Sequence, residues 1–243
     1  MSTPSPREVQ KERAALKAVE HVRSGTLIGL GTGSTAKYAI EAIGRRLADG
    51  QLQNIRAVAT SEASAALAQA AQIPLVDLGP NGVDLAIDGM DEVDPHLGAI
   101  KGLGGALTRE KMVAVRAKTF ILIGDDSKQV ERLGAKAPLP VEVLRFGLSA
   151  TEADLAALGC RTALRKGADG NPFVSDNGHY VVDCHFDGGI DDPHALAARL
   201  DGTTGVVEHG LFLEIAERAY VATEDEVLEL TQNNLTQNNG VRT

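Results

Sequence analysis

The sequence predicts an α/β fold, a mostly parallel sheet covered on both faces by helices, joined to a smaller α+β unit. Two observations carry this reading. From Thr26 to Gly124 short apolar stretches alternate with helical stretches, and alternation at that spacing implies right-handed crossovers between parallel strands. At "APLPVEVLRF" the prolines Pro138 and Pro140 break the texture, and the later elements read strand, helix, strand, strand, helix, strand.

Taken in order, residues 7 to 23 carry Leu16, Val19 and Val22 on a helical period that Gly25 stops. "TLIGL" then reads as a buried strand, "AKYAIEAIGRRLADG" as a helix, "IRAVAT" as a strand and "EASAALAQAAQ" as a helix. "VDLAID" is a third strand, a helix follows Gly105, and "TFILIG" is a fourth strand. In the smaller unit, Asn177-Gly178 between "PFVS" and "HYVVDCHF" signals a hairpin. The division expected is residues 1–130 plus 207–230 for the main domain, with "GLFLEIAERAYVAT" returning to the first sheet, and 131–206 for a split βαβ, ferredoxin-like domain. The tail 231–243, built on a tandem of TQNN, is expected to be disordered.

Composition narrows the function classes. A formal charge of −9 argues against nucleic acid, whose binding requires a basic face. No apolar run spans a bilayer and the first residues carry no signal-peptide core, so a cytoplasmic protein with no membrane partner is expected. Two cysteines, Cys160 and Cys184, and six scattered histidines propose neither a disulfide framework nor a metal site.

In an open parallel sheet, ligands bind beyond the carboxyl ends of the strands. The turn "GTGSTA" opens a helix there, and its glycines and free helix-start amides can cradle a phosphate. It also satisfies GxGxxA, so a dinucleotide-dependent oxidoreductase with Glu62 on the ribose is a second reading. A non-catalytic sugar-phosphate sensor is a third. Asp88 and Asp91, with Glu92 and Asp94 after them, could meet sugar hydroxyls, move protons or hold a cation; taken singly each aspartate reads as a cap of the next element, and as a pair aimed at the crevice of "GTGST" they read as functional. Lys101 and Lys128 could meet an anion.

Glu110 carries the sharpest inference. On a helix starting near Gly105, its neighbours three and four positions away are Ala106, Leu107, Val113 and Ala114, none of them charged. A carboxyl group on such a stripe with no local partner is expected to be desolvated, which raises its pKa and suits a general base near neutrality; helical position alone equally allows it to swing out to solvent or pair with a lysine from another element.

Together "GLGTGSTA", "DLAIDGMDE", "IKGLGGALTREK" and "DDSKQV…PLPVEV" resemble the signature segments of the A-type ribose-5-phosphate isomerase family, over nearly the whole chain. The resemblance implies a Rossmann-like main domain and interconversion of ribose 5-phosphate and ribulose 5-phosphate in the pentose phosphate pathway, without metal or cofactor. It implies Glu110 as the base acting between C1 and C2, and Asp88 assisting ring opening and, with Asp91, holding hydroxyls. Lys101 and the amides of Gly102, Leu103 and Gly104 would support the enediolate oxygen. The phosphate would rest on Thr32, Gly33, Ser34 and Thr35, helped by Lys11 and Lys128, with Gly89, Met90, Thr60 and Ser61 lining the site. A homodimer or dimer of dimers is implied as well. Two positions depart from the commonest family pattern: Met90 stands where a small residue is usual, and Leu103 interrupts the glycine run.

Overall fold

The computed structural model describes residues 4–231. Its helices are α1 (Pro6–Val19), α2 (Ser34–Ala48), α3 (Glu62–Ala70), α4 (Leu107–Ala114), α5 (Leu148–Ala156) and α6 (Pro193–Asp201). The first seven strands are β1 (Leu27–Leu30), β2 (Arg56–Ala59), β3 (Val83–Gly89), β4 (Glu92–Val93), β5 (Ala99–Ile100), β6 (Ala117–Asp125) and β7 (Leu139–Val143). The remaining six are β8 (Arg161–Leu164), β9 (Tyr180–His185), β10 (Val206–His209), β11 (Leu211–Phe212), β12 (Arg218–Ala222) and β13 (Val227–Thr231).

The chain divides into two compact units. The first holds a six-stranded sheet in the order β13-β12-β6-β3-β1-β2, parallel except for β13. Its register matters for the site. Leu30 pairs with both Ala59 and Ile87, Gly89 with Ile123, and Ala222 with Asp125, so the strands end close to level and the segments after them share one edge. Ser5 caps α1 by accepting the Glu8 N–H, and Pro6 opens it. Leu16, expected on the buried stripe, is 43% exposed; Val19 and Val22 are buried as expected, and Ala14, Ala15 and Ala18 take the place of Leu16. Small side chains let α1 approach its neighbours closely. The helix ends at Val19, earlier than its apolar period suggested. The core of this unit gathers Ile28, Leu30, Ile40, Ile43, Leu85, Ile87, Ile121 and Ile123.

The second unit holds an antiparallel sheet in the order β10-β7-β9-β8 with α5 and α6 in the two crossovers, the ferredoxin-like βαββαβ pattern. Its core is built on Leu139, Val141, Val143, Leu155, Val182, Leu196 and Leu200. The Asn177-Gly178 turn forms, with Gly178 at φ 84 and its N–H on the Ser175 carbonyl at 2.8 Å. Only one bridge, Val174 to Tyr180, closes it, and β9 takes β8 and β7 as its sheet partners. A three-stranded sheet in the order β11-β5-β4 completes the unit. This pairing explains where the two units differ from the division read off the sequence. Residues Asp91–Thr108 and the chain up to Leu213 belong to the second unit, because β4 and β5 pair with β11. The return to the large sheet begins at Arg218, on β12. Two-residue strands carry no periodicity that a sequence reading could use. The expected disorder of the tail, Thr231 aside, lies outside the described residues.

Candidate active site

In the first unit, the expected phosphate turn follows β1. Asp88, near the end of β3 and 2% exposed, accepts the N–H of Thr32 at 2.9 Å and of Gly89 at 2.7 Å on one carboxylate oxygen. A Cβ on Gly31 would stand 2.1 Å from that oxygen and 2.5 Å from the Asp88 Cα, so only glycine admits the carboxylate at this position. Gly33 takes φ 105, a conformation open to glycine alone, and opens α2 with no side-chain hydrogen bond at the cap. The leading amides of that 15-residue helix thus have no cap side chain over them and lie at the positive end of its dipole, the setting an anion favours. Ser34 at the opening is exposed and Thr35 is buried.

Thr32 Oγ1 lies 2.7 Å from Thr60 Oγ1, 2.9 Å from Ser61 Oγ and 3.1 Å from Ser64 Oγ. Ser64 in turn donates to the Gly31 carbonyl at 2.7 Å. Thr60 and Ser61, expected to line the site, are buried and stand behind the turn, holding Thr32. Ser64 belongs to the same net and was missed by the sequence reading; its place three residues after the α3 cap Ser61 is the only local signal. Met90, the departure from the usual small residue, is buried with its methyl against Gly124, where a Cβ would come within 2.8 Å. Gly124 thus makes the room that Met90 fills, and the Lys128 stem passes over the same glycine. Lys11 on α1 is engaged: it donates to Glu8 at 2.7 Å, and Tyr38 donates to the other Glu8 oxygen at 2.5 Å. The Lys11 ammonium and the Tyr38 hydroxyl hold the Glu8 carboxyl below its ordinary range, and the bond to Glu8 pushes the Tyr38 hydroxyl up to about 12.

Glu110 lies on α4 and is 4% exposed, on one stripe with Leu107, Val113 and Ala114, all buried, while Met112 and Val115 face outward. A Cβ on Gly29 of β1 would meet Val113 Cγ1 at 2.4 Å, so the turn of α4 after Glu110 rests directly on the sheet. The buried setting expected for this carboxyl group is present. Glu62, the ribose-binding acid of the dinucleotide reading, is the exposed first residue of α3 and pairs with Arg109 at 2.9 Å.

In the second unit, Asp91 Oδ2 accepts the Leu103 N–H at 2.8 Å. The Leu103 amide, expected to face the enediolate oxygen, is thus committed to Asp91. Glu92 is buried and accepts the N–H groups of Gly134, Lys136 and Ala137 at 2.5–2.6 Å; Asp94 accepts those of His96 and Gly98 at 2.8 Å. Both are structural caps. Lys101 is 2% exposed, donates its backbone N–H to the Gly210 carbonyl at 2.9 Å, and carries its ammonium 5.3 Å from the Phe212 ring centre. Gly102, at φ 105, turns the chain against Leu107, and the Gly105 N–H closes the turn onto the Gly102 carbonyl at 2.9 Å. Leu103 and Gly104 are exposed.

Among the described residues one His/Asp/Glu trio, Asp201, Glu208 and His209, comes within metal-ligand spacing. His209 Nδ1 accepts the Leu211 N–H at 3.2 Å, which leaves the ring proton on Nε2, 3.2 Å from Asp201. That is a hydrogen-bonded pair, and a metal would have to displace its proton.

Fold and residues together define an α/β isomerase. The family profile of ribose 5-phosphate isomerase A (phosphoriboisomerase A) matches residues 56–226. Ribose-5-phosphate isomerase A of Roseiflexus castenholzii is 51% identical over 221 residues, 90% of this chain and 94% of that one. The ribose 5-phosphate isomerase of Plasmodium falciparum superposes with a TM-score of 0.90 at 39% identity, over 92% of this chain and 98% of that one. A D-ribose-5-phosphate isomerase solved in complex with phospho-erythronic acid also gives 0.90, at 38% identity, over 93% and 99%. The chain belongs to the ribose 5-phosphate isomerase A family.

Proposed function

We propose that this chain interconverts D-ribose 5-phosphate and D-ribulose 5-phosphate in the non-oxidative pentose phosphate pathway, moving a proton between C1 and C2 through an enediolate. Glu110 is the base. The observation that carries this role is a carboxyl group 4% exposed on an otherwise apolar helix stripe, within the segment that matches the family signature. Asp88 assists opening of the furanose ring and Asp91 holds substrate hydroxyls. Lys101 and the amides of Gly102 and Gly104, with the Leu103 amide on Asp91, stabilise the charge that develops on the enediolate oxygen, commonly the largest catalytic contribution. The phosphate rests on the uncapped amides at the start of α2, with Lys128 and Lys11 nearby in role; Lys11 exchanges its contact with Glu8 to take part. A cytoplasmic location and a homodimer or dimer of dimers belong to the same reading, carried by the family resemblance.

The test is isomerisation of ribose 5-phosphate with EDTA present, wild type against Glu110→Gln. General-base removal is expected to lower kcat by about 10³-fold or more with little change in KM. Undiminished turnover in the variant would sink the assignment. Solvent deuterium entering the transferred position supports proton transfer over a hydride shift.

A further inference from the structure

We infer that Arg165 and Asp183, far from Lys101 in sequence and absent from every signature segment, are the positioning residues of the Gly102–Gly105 turn and hold its amides in the orientation the reaction needs. The inference rests on the functional reading above and deepens it. Arg165 Nε donates to Asp183 Oδ2 at 3.0 Å and Nη2 donates to Asp183 Oδ1, a two-point pairing that fixes the guanidinium plane. The remaining nitrogen, Nη1, donates to the Gly102 carbonyl at 2.8 Å and to the Leu103 carbonyl at 3.0 Å. The Phe173 ring lies 5.9 Å from the guanidinium and fills the space where a Cβ on Gly105 would stand, 2.3 Å away. Both charged side chains are largely buried, at 11% and 17% exposure, so the clamp works in a medium that screens it weakly.

A trans peptide directs its N–H opposite to its carbonyl. The peptide joining Gly102 to Leu103 demonstrates the consequence: its carbonyl is on Arg165 and its N–H emerges on the other side, on Asp91. The next peptide has its Leu103 carbonyl on the same nitrogen, so the Gly104 N–H is aimed away from Arg165 as well. One guanidinium thereby orients two consecutive amides and, through Leu103, the Asp91 carboxylate. Arginine suits this task because it needs a planar fork with three separately directed nitrogens; a lysine ammonium has its three donors on one nitrogen and cannot pair Asp183 at two points while also holding both carbonyls.

Arg165→Lys and Asp183→Asn test the clamp, with wild type alongside. Three readouts are needed: steady-state isomerisation of ribose 5-phosphate, inhibition by inorganic phosphate, and binding of phospho-erythronic acid, whose carboxylate imitates the planar enediolate. Arg165→Lys is expected to lower kcat by about 10–100-fold, as loss of a support behind a catalytic group does. Asp183→Asn, which keeps one acceptor oxygen, is expected to lower it by about tenfold. In both, KM and phosphate inhibition stay within about twofold, while phospho-erythronic acid binds more weakly in step with kcat. Turnover within twofold of wild type in both variants overturns the clamp, and so does phosphate inhibition that weakens in parallel with kcat, the mark of general structural loss. Should Arg165→Lys fail to fold, as judged by circular dichroism, Asp183→Asn decides by the same criteria. A wild type that does not isomerise ribose 5-phosphate overturns the functional reading and the clamp with it; an active wild type with equally active variants overturns the clamp alone.

Discussion

Two glycine turns lead into helices in this molecule, and they are held by opposite means. The turn at Gly31–Gly33 is supported from behind by hydroxyls, Thr60, Ser61 and Ser64 on Thr32, and by one aspartate, Asp88, that accepts the Thr32 N–H. The turn at Gly102–Gly105 is gripped by its carbonyls, through an arginine locked to a half-buried aspartate. On the proposed roles the contrast has a physical reading. Hydroxyls hold Thr32 from behind and leave the helix-start amides to an anion, with Asp88 as the one charge against that turn. The second turn's peptide dipoles are fixed beforehand by a charged clamp, which suits charge that develops only during reaction.

The contrast can be broken at Asp88, the one charge in the first turn. Asp88→Asn keeps an oxygen that can accept from Thr32 and Gly89, so the turn should hold while the charge is lost. Activity is expected to fall by about 10²-fold or more with the melting temperature within about 2 °C, measured by turnover and scanning calorimetry. An equal loss of stability would mean that the carboxylate serves the fold and not the chemistry.

The glycines come next. Gly105→Ala meets Phe173 and a φ of 81, and is expected to destabilise by about 2–4 kcal/mol, a melting shift of about 5–10 °C; Gly31→Ala meets Asp88 with an ordinary φ and should cost about 1–3 kcal/mol. Reversal of that order in urea titrations would show that the second turn yields more easily than its charged grip implies. Ser64→Ala removes donor and acceptor from the hydroxyl net and should cost about 1 kcal/mol, with no dependence on salt because no ion pair is involved.

The smallest effect is expected at Asp84 on β3, remote from both turns. The Lys118 ammonium and the Leu27 N–H hold its carboxyl below the ordinary value. A depressed folded-state pKa gives stability that is present above the unfolded value and is lost as pH falls toward the folded one. Asp84→Asn should therefore lower the melting temperature slightly at neutral pH, the pair being partly exposed, with a difference from wild type that shrinks as pH falls below about 4, so that the acid limb is flatter; an unaltered acid limb would remove Asp84 from the account.

Legibility in the sequence followed the range of the interactions. Alternating strands and helices gave the parallel sheet, and the Asn177-Gly178 pair gave a turn where one exists. Glu110 stood out because a helix repeats at a known angle, so its stripe could be drawn from Leu107, Val113 and Ala114 alone. The placement of Thr60 and Ser61 behind the turn, and of Glu92 and Asp94 as caps, was not legible: each carboxylate and hydroxyl had several partners in reach of its residue type, and only folding selects among them. Arg165 and Asp183 gave no signal, since their bonds join residues more than sixty positions from the turn they hold.

By itself, then, the sequence determined the parallel α/β core, the ferredoxin-like second unit and the family signature with Glu110 on an apolar face, because these rest on periodicity and on short contiguous motifs. Only the tertiary structure decided which segments pair with β11, which acids merely cap and which grip backbone holds each turn. Such choices depend on contacts between residues distant along the chain, and no local pattern encodes which of several chemically equivalent partners will be the one brought within 3 Å.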